Sequence, residues 1–162
     1  MRKKYENFAQ FYKTTNIVYM SILFGFLAFM TVVYFNTKNP TFSFSEDSSR
    51  VILGGILALI GFFGSSMTYK AILFRMDKSL PFSEKLSVYF KAFIVKMALL
   101  EAVGFVNILL YMTGYNKVYL IFGAISILGM LLAKPTPDML IKDLDLNKND
   151  QLYIDHPNKN FE

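Results

Sequence analysis

Residues 51–69, VILGGILALIGFFGSSMTY, run for 19 positions without an acid, a base or a proline. At about 1.5 Å of rise per residue a helix of this length covers about 28 Å, close to the ~30 Å hydrocarbon layer of a bilayer. A chain crossing that layer must satisfy its own backbone hydrogen bonds, which a helix does within one segment. The stretch therefore reads as a transmembrane helix. Residues 17–35, 92–112 and 118–133 read the same way. The last is only 16 residues, between Lys117 and Lys134, so it requires a thinned bilayer or snorkelling ends. Tyr19, Tyr34, Tyr69, Tyr89, Tyr111 and Tyr119 fall near span ends, where amphipathic rings sit among headgroups.

The composition agrees. Of 162 residues 54% are apolar and 18% charged, with a mean hydropathy of +0.36, too apolar for an ordinary soluble domain. The chain has no cysteine and one histidine, which excludes a disulfide framework, a thiolate metal site and a histidine cluster. No Gly-rich phosphate loop, paired catalytic carboxylates or Ser-His-Asp set is present, so the reading is non-enzymatic, with no catalytic residue, metal ligand or cofactor. Arg2-Lys3-Lys4 before an apolar run also resembles a signal peptide, but the run is too long and lacks a small-residue cleavage site.

Thirteen of the 17 lysines and arginines lie before the first span, around the middle loop, or after the fourth span; Lys38, Arg50 and Lys117 are in the other two loops and Lys96 is inside the third span. The positive-inside rule then puts both termini and the middle loop in the cytoplasm of a multi-pass inner-membrane protein. The net charge of +5 is thus accounted for by topology and implies no nucleic acid. The expected fold is all-α: a four-helix membrane bundle of two antiparallel hairpins over residues 1–146, then a polar tail at 147–162 read as unstructured, with His156 exposed in it.

Around the spans, Tyr5, Phe8 and Tyr12 fall at i, i+3, i+7 among lysines, predicting an interfacial helix on anionic inner-leaflet lipids. Ser79-Leu80-Pro81 and Ser83-Glu84 give helix-start chemistry, so the third helix is expected to begin near 81 and project beyond the membrane. Thr136-Pro137-Asp138 supplies a cap, a proline at the first position and an acid in the first turn; with Met139, Leu140, Ile141, Leu144 and Leu146 it predicts a short amphipathic cytoplasmic helix.

Gly54, Ala58, Gly61, Ser65 and Thr68 line one face of the second span at 4-3-4-3 spacing, which predicts close packing on another helix or a second copy. Charged groups inside hydrocarbon cost a few kcal/mol or more, so Lys96 and Glu101 need partners. Lys96 is read as snorkelling toward the inner headgroups. Glu101 lies about 13 Å inside the span, too deep to reach water, and would take up a proton or sit in a polar cleft. Depth matching brings Ser21, Ser65, Ser66 and Ser126 to its level, which predicts a polar pocket in which a protonated Glu101 either hydrogen-bonds across helices as structural glue or binds a proton, a cation or a cationic substrate. Asn107 is read as a separate interhelical hydrogen-bonding residue.

Tyr89, Lys96, Ala98-Leu99-Leu100-Glu101-Ala102, Tyr111-Met112-Thr113-Gly114, Lys134-Pro135-Thr136 and Ile141-Lys142-Asp143-Leu144 resemble an uncharacterised family of small four-span bacterial membrane proteins, over about residues 81–146. The resemblance implies an inner-membrane location and no set activity. More loosely, the segment around Glu101 is similar to the c subunit, or proteolipid, of rotary ATPases, which implies an ion-carrying carboxylate there; the 4-3-4-3 glycine face differs from that family's GxGxGxG run. Two readings result: an accessory or assembly component with membrane partners, or a small transporter or ion-handling subunit using Glu101.

Overall fold

A computed structural model describes residues 5–45 and 48–161. Arg2, Lys3 and Lys4, the core of the expected lipid-binding segment, lie outside the described residues. The described chain folds into six helices: α1 Phe8–Asn36, α2 Ser48–Phe74, α3 Phe82–Gly114, α4 Val118–Leu132, α5 Pro137–Asp143 and α6 Lys148–Asp155. Among the described residues α1, α2 and α3 are long and apolar enough to cross a membrane. The 15-residue α4 reaches that length only together with α5, from which it is bent by 84°. An all-helical chain with three to four such helices is compatible with a membrane helical bundle.

Side-chain contacts give each helix its direction. Along α1, Phe11, Tyr19 and Phe26 meet Tyr89, Phe93 and Phe105 of α3 in the same order, so these two helices run parallel. Along α2, Tyr69 meets Tyr89, Gly61 meets Val103 and Gly54 meets Asn107, the reverse order, so α2 and α3 run antiparallel. Gly104 faces Ser126 while Gly129 faces Leu100, which makes α3 and α4 antiparallel as well. The chain therefore passes up, down, up and down. Both α1 and α2 pack on the α3–α4 pair and barely touch each other. The first expected hairpin is thus consecutive in the chain but is not a packed pair.

Glycine notches set this arrangement. A Cβ on Gly61 would lie 2.7 Å from Val103 Cγ2 and 2.8 Å from its Cβ, and one on Gly54 would lie 2.8 Å from Asn107 Oδ1. The small face of α2 that the sequence singles out, with Gly54, Ala58, Gly61 and Ser65 buried and Thr68 half-buried, accordingly meets α3 and α4. Gly104 is the matching notch on α3: a Cβ there would lie 2.4 Å from Phe26 Cζ, so the aromatic face of α1 seats where α3 has no side chain. Asn107 is fully buried and donates to Val103 O at 3.1 Å within its own helix, while its Oδ1 has no partner. At the far end, Thr41 N–H donates to Tyr115 O at 2.8 Å and Lys117 N–H to Thr41 O at 2.9 Å, joining the α1–α2 loop to the α3–α4 turn. That turn closes at Tyr115, which takes a left-handed φ of 52°.

The other end carries a cap, and here two expectations are corrected. The tail expected at 147–162 is not structureless over its described residues 147–161: Asn147 caps α6 by accepting from Asp150 N–H, and Phe161 is buried against Phe82 and Tyr153. The N-terminal aromatics do not face a leaflet. Tyr5 and Phe8 are buried in the protein, Phe8 against Phe82, and Phe161 N–H donates to Glu6 O while Ala9 N–H donates to Pro157 O. Both misreadings share a cause, since Tyr5, Phe8 and Phe161 each meet a ring of α3 about 75 to 85 residues away, which no local pattern reports.

The notches give a direct test. Gly61→Ala is expected to cost about 1–3 kcal/mol in detergent unfolding, because β-branched Val103 cannot yield. Gly64→Ala, where nothing lies within 4 Å, is expected to be neutral or slightly stabilising.

Candidate functional site

Glu101 is half-buried on α3, one turn before Phe105, whose ring packs on Phe26 at 5.4 Å and Phe29 at 5.1 Å. That places it toward α1. Among the described residues its carboxyl makes no hydrogen bond or ion pair. Ser126 is buried at the α3–α4 seam beside Gly104. Ser65 is buried on α2 and donates to Phe62 O at 3.0 Å, Ser66 is half-buried on the same helix, and Ser21 is exposed. None of the four hydroxyls hydrogen-bonds Glu101. Depth matching sets the level of a residue in a bundle but not its bearing around the helix, so it does not by itself make these serines partners of Glu101.

The polar groups that the fold does bring together lie at the capped end. Tyr69, near the end of α2, donates its hydroxyl to Asp143 Oδ2 of α5 at 2.6 Å and meets the Tyr89 ring edge-on at 6.0 Å. Lys96 Nζ stands 5.0 Å from the centre of the Tyr69 ring. The expected snorkelling lysine thus extends toward the cap and ends on an aromatic face, a cation–π arrangement that stabilises the charge in partial burial. The sequence reading had assigned Asp143 and Tyr89 no such role.

Local chemistry explains why α5 is there to be met. Pro135 and Pro137 bar continuation of α4, and Thr136 between them caps α5 by accepting from Met139 N–H at 3.2 Å. The chain turns 84°, laying α5 across the end of the bundle, and the fully buried Leu140 anchors it. Tyr12 Oη reaches Pro135 O at 3.4 Å from α1.

Two ion pairs complete the cap. Lys85 Nζ meets Asp150 Oδ2 at 2.7 Å with side chains only 6% and 14% exposed, tying the projecting start of α3 to α6. Lys78 Nζ meets Asp145 Oδ2 at 2.6 Å, at 77% and 74% exposure. The hydrogen bond from Lys78, and then its charge, hold the Asp145 carboxyl below the usual aspartate range. This tie is therefore present above the ordinary aspartate range and lost as pH falls through the lowered value. Asp77, in the same loop, is also held low, chiefly by the Ser79 N–H that it accepts at 2.8 Å.

Among the described residues no three His, Asp or Glu side chains are grouped to hold a metal ion. His156 is exposed at the end of α6. No family model, curated protein or solved structure matches this chain.

Removing one partner of a shielded ion pair leaves the other charge stranded. Lys85→Met is expected to weaken the cap by about 3 kcal/mol. Amide exchange in 148–155 should then speed up well ahead of that in α3, while Lys78→Met, at an exposed pair, changes it little.

Proposed function

We propose that this chain is a non-enzymatic, four-span inner-membrane protein, with both termini cytoplasmic, that serves as an accessory or assembly component. The observation that carries this reading is the cap. Segments from residue 5 to residue 161 converge at one end of the bundle, where Tyr69 is tied to Asp143, Lys85 to Asp150 and Lys78 to Asp145. Among the described residues ten of the 14 lysines and arginines belong to segments on that side, as a cytoplasmic face requires. A folded platform on a membrane anchor suits a component that holds another protein or a second copy in place. The resemblance of residues 81–146 to small four-span bacterial membrane proteins points to the same location.

A second reading keeps Glu101 as a proton- or ion-handling carboxylate, and its half-buried position without a partner within a span favours it. Proteoliposomes separate the two. With an imposed pH gradient, the accessory reading expects wild type, Glu101→Gln and empty vesicles to dissipate it at the same rate, with the variant folded and carrying the same partners on purification. Faster wild-type dissipation that Glu101→Gln abolishes would replace it with the ion-handling reading.

A further inference from the structure

Between the end of α2, the loop after it and α5 lies an open cleft of about 370 Å³. The end of α2 and the loop after it line this cleft with Lys70, Leu73, Phe74, Met76 and Lys78, and the end of α5 and the residues after it with Lys142, Asp143, Leu144 and Asp145, so apolar and charged side chains share both sides. The charges are not equally available. Asp143 already accepts the Tyr69 hydroxyl and Asp145 already pairs with Lys78. Among the described residues the side chains of Lys70 and Lys142 have no hydrogen bond or ion pair. Asp143 keeps its charge while accepting a neutral hydroxyl, so what the cleft offers a ligand is two ammonium groups against one carboxylate, a small positive excess, beside the apolar side chains of Leu73, Phe74, Met76 and Leu144.

Its position narrows the ligand. Tyr69 closes the apolar run of α2, so the cleft opens one turn beyond the hydrocarbon, at headgroup level. Phe74 is 92% exposed at the helix end, a large ring that in water would have no reason to stand free. Two lysines and an exposed aromatic lining one cleft fit a ligand that is anionic at one end and apolar at the other. We propose that this cleft binds the phosphodiester headgroup of an anionic phospholipid, with Lys70 and Lys142 on the phosphate and Phe74 against the glycerol and first acyl carbons. The proposal rests on the membrane-spanning reading, and it is separate from the basic segment at residues 2–4.

Native mass spectrometry of the full chain in neutral detergent tests it, with phosphatidylglycerol and phosphatidylcholine as probes. Wild type is expected to retain phosphatidylglycerol selectively. Lys70→Gln/Lys142→Gln should lose about fivefold in affinity for each lysine removed, and Lys70→Arg/Lys142→Arg should keep most of it. Both lysines are exposed, and an unchanged melting temperature confirms that the fold survives; Phe74→Ala, at a position with no packing to lose, gives a second arm that should also weaken retention. Lys91→Gln/Lys148→Gln removes the same charge from the cap outside the cleft and should have little effect. No headgroup selectivity, equal loss in that control pair, or displacement of the lipid by inorganic phosphate at matched concentration would overturn the proposal. Retention of the protein in the aqueous layer of a detergent phase separation would instead refute the membrane reading.

Discussion

The close approach of α3 to its neighbours is the contact on which the rest of this structure depends. Helices in lipid gain nothing from hiding apolar surface, because the tails are as apolar as the side chains, so they associate where backbones can come near. Here Gly54, Gly61, Gly104 and Gly129 supply that nearness, and each of them lies on α3 or faces one of its side chains. With 33 residues, about 50 Å of helix, α3 is longer than a bilayer is thick. Its excess length stands clear at one end, and there it collects Tyr5 and Phe8, α6 and Phe161.

The division of labour along α3 follows from solvent. Inside the notched region the contacts are van der Waals, and the one amide, Asn107, turns back to its own helix. Toward the cap, water can support charges, and lysines become connectors: Lys96 to an aromatic ring, Lys85 to Asp150. Glu101 stands between these regimes, half-buried beside α1. The cap joins both ends of the described chain through Phe161 N–H to Glu6 O and so closes the bundle at that end.

Much of this was legible in the residues. Uninterrupted apolar runs set the helices, the 4-3-4-3 stripe marked the packed face of α2, and Thr136-Pro137 marked the start of α5, because each of these signals is local. What stayed hidden was long-range. The tail around α6 has the composition of a solvated segment, and only contact with Phe82 gives Tyr153 and Phe161 a place. One overlooked signal was within reach: Lys85 lies on the same helical stripe as Phe82, Leu86 and Tyr89, and a lysine on a buried stripe calls for an acid. Equal depth along the spans is a weaker signal for the serines, since it does not report the bearing of a side chain around its helix.

The central claim is that four passes place the α2–α3 loop and the capped end on one side of the membrane and the α1–α2 loop on the other. The chain has no cysteine, so single replacements report cleanly. Ser79→Cys, Asn149→Cys and Ser45→Cys should be labelled with a membrane-impermeant maleimide in intact cells and in inverted vesicles. Labelling of Ser45→Cys from outside only, and of both others from inside only, is the predicted result. Labelling of Ser79→Cys and Asn149→Cys from opposite sides would mean an odd number of passes between them and would contradict the account.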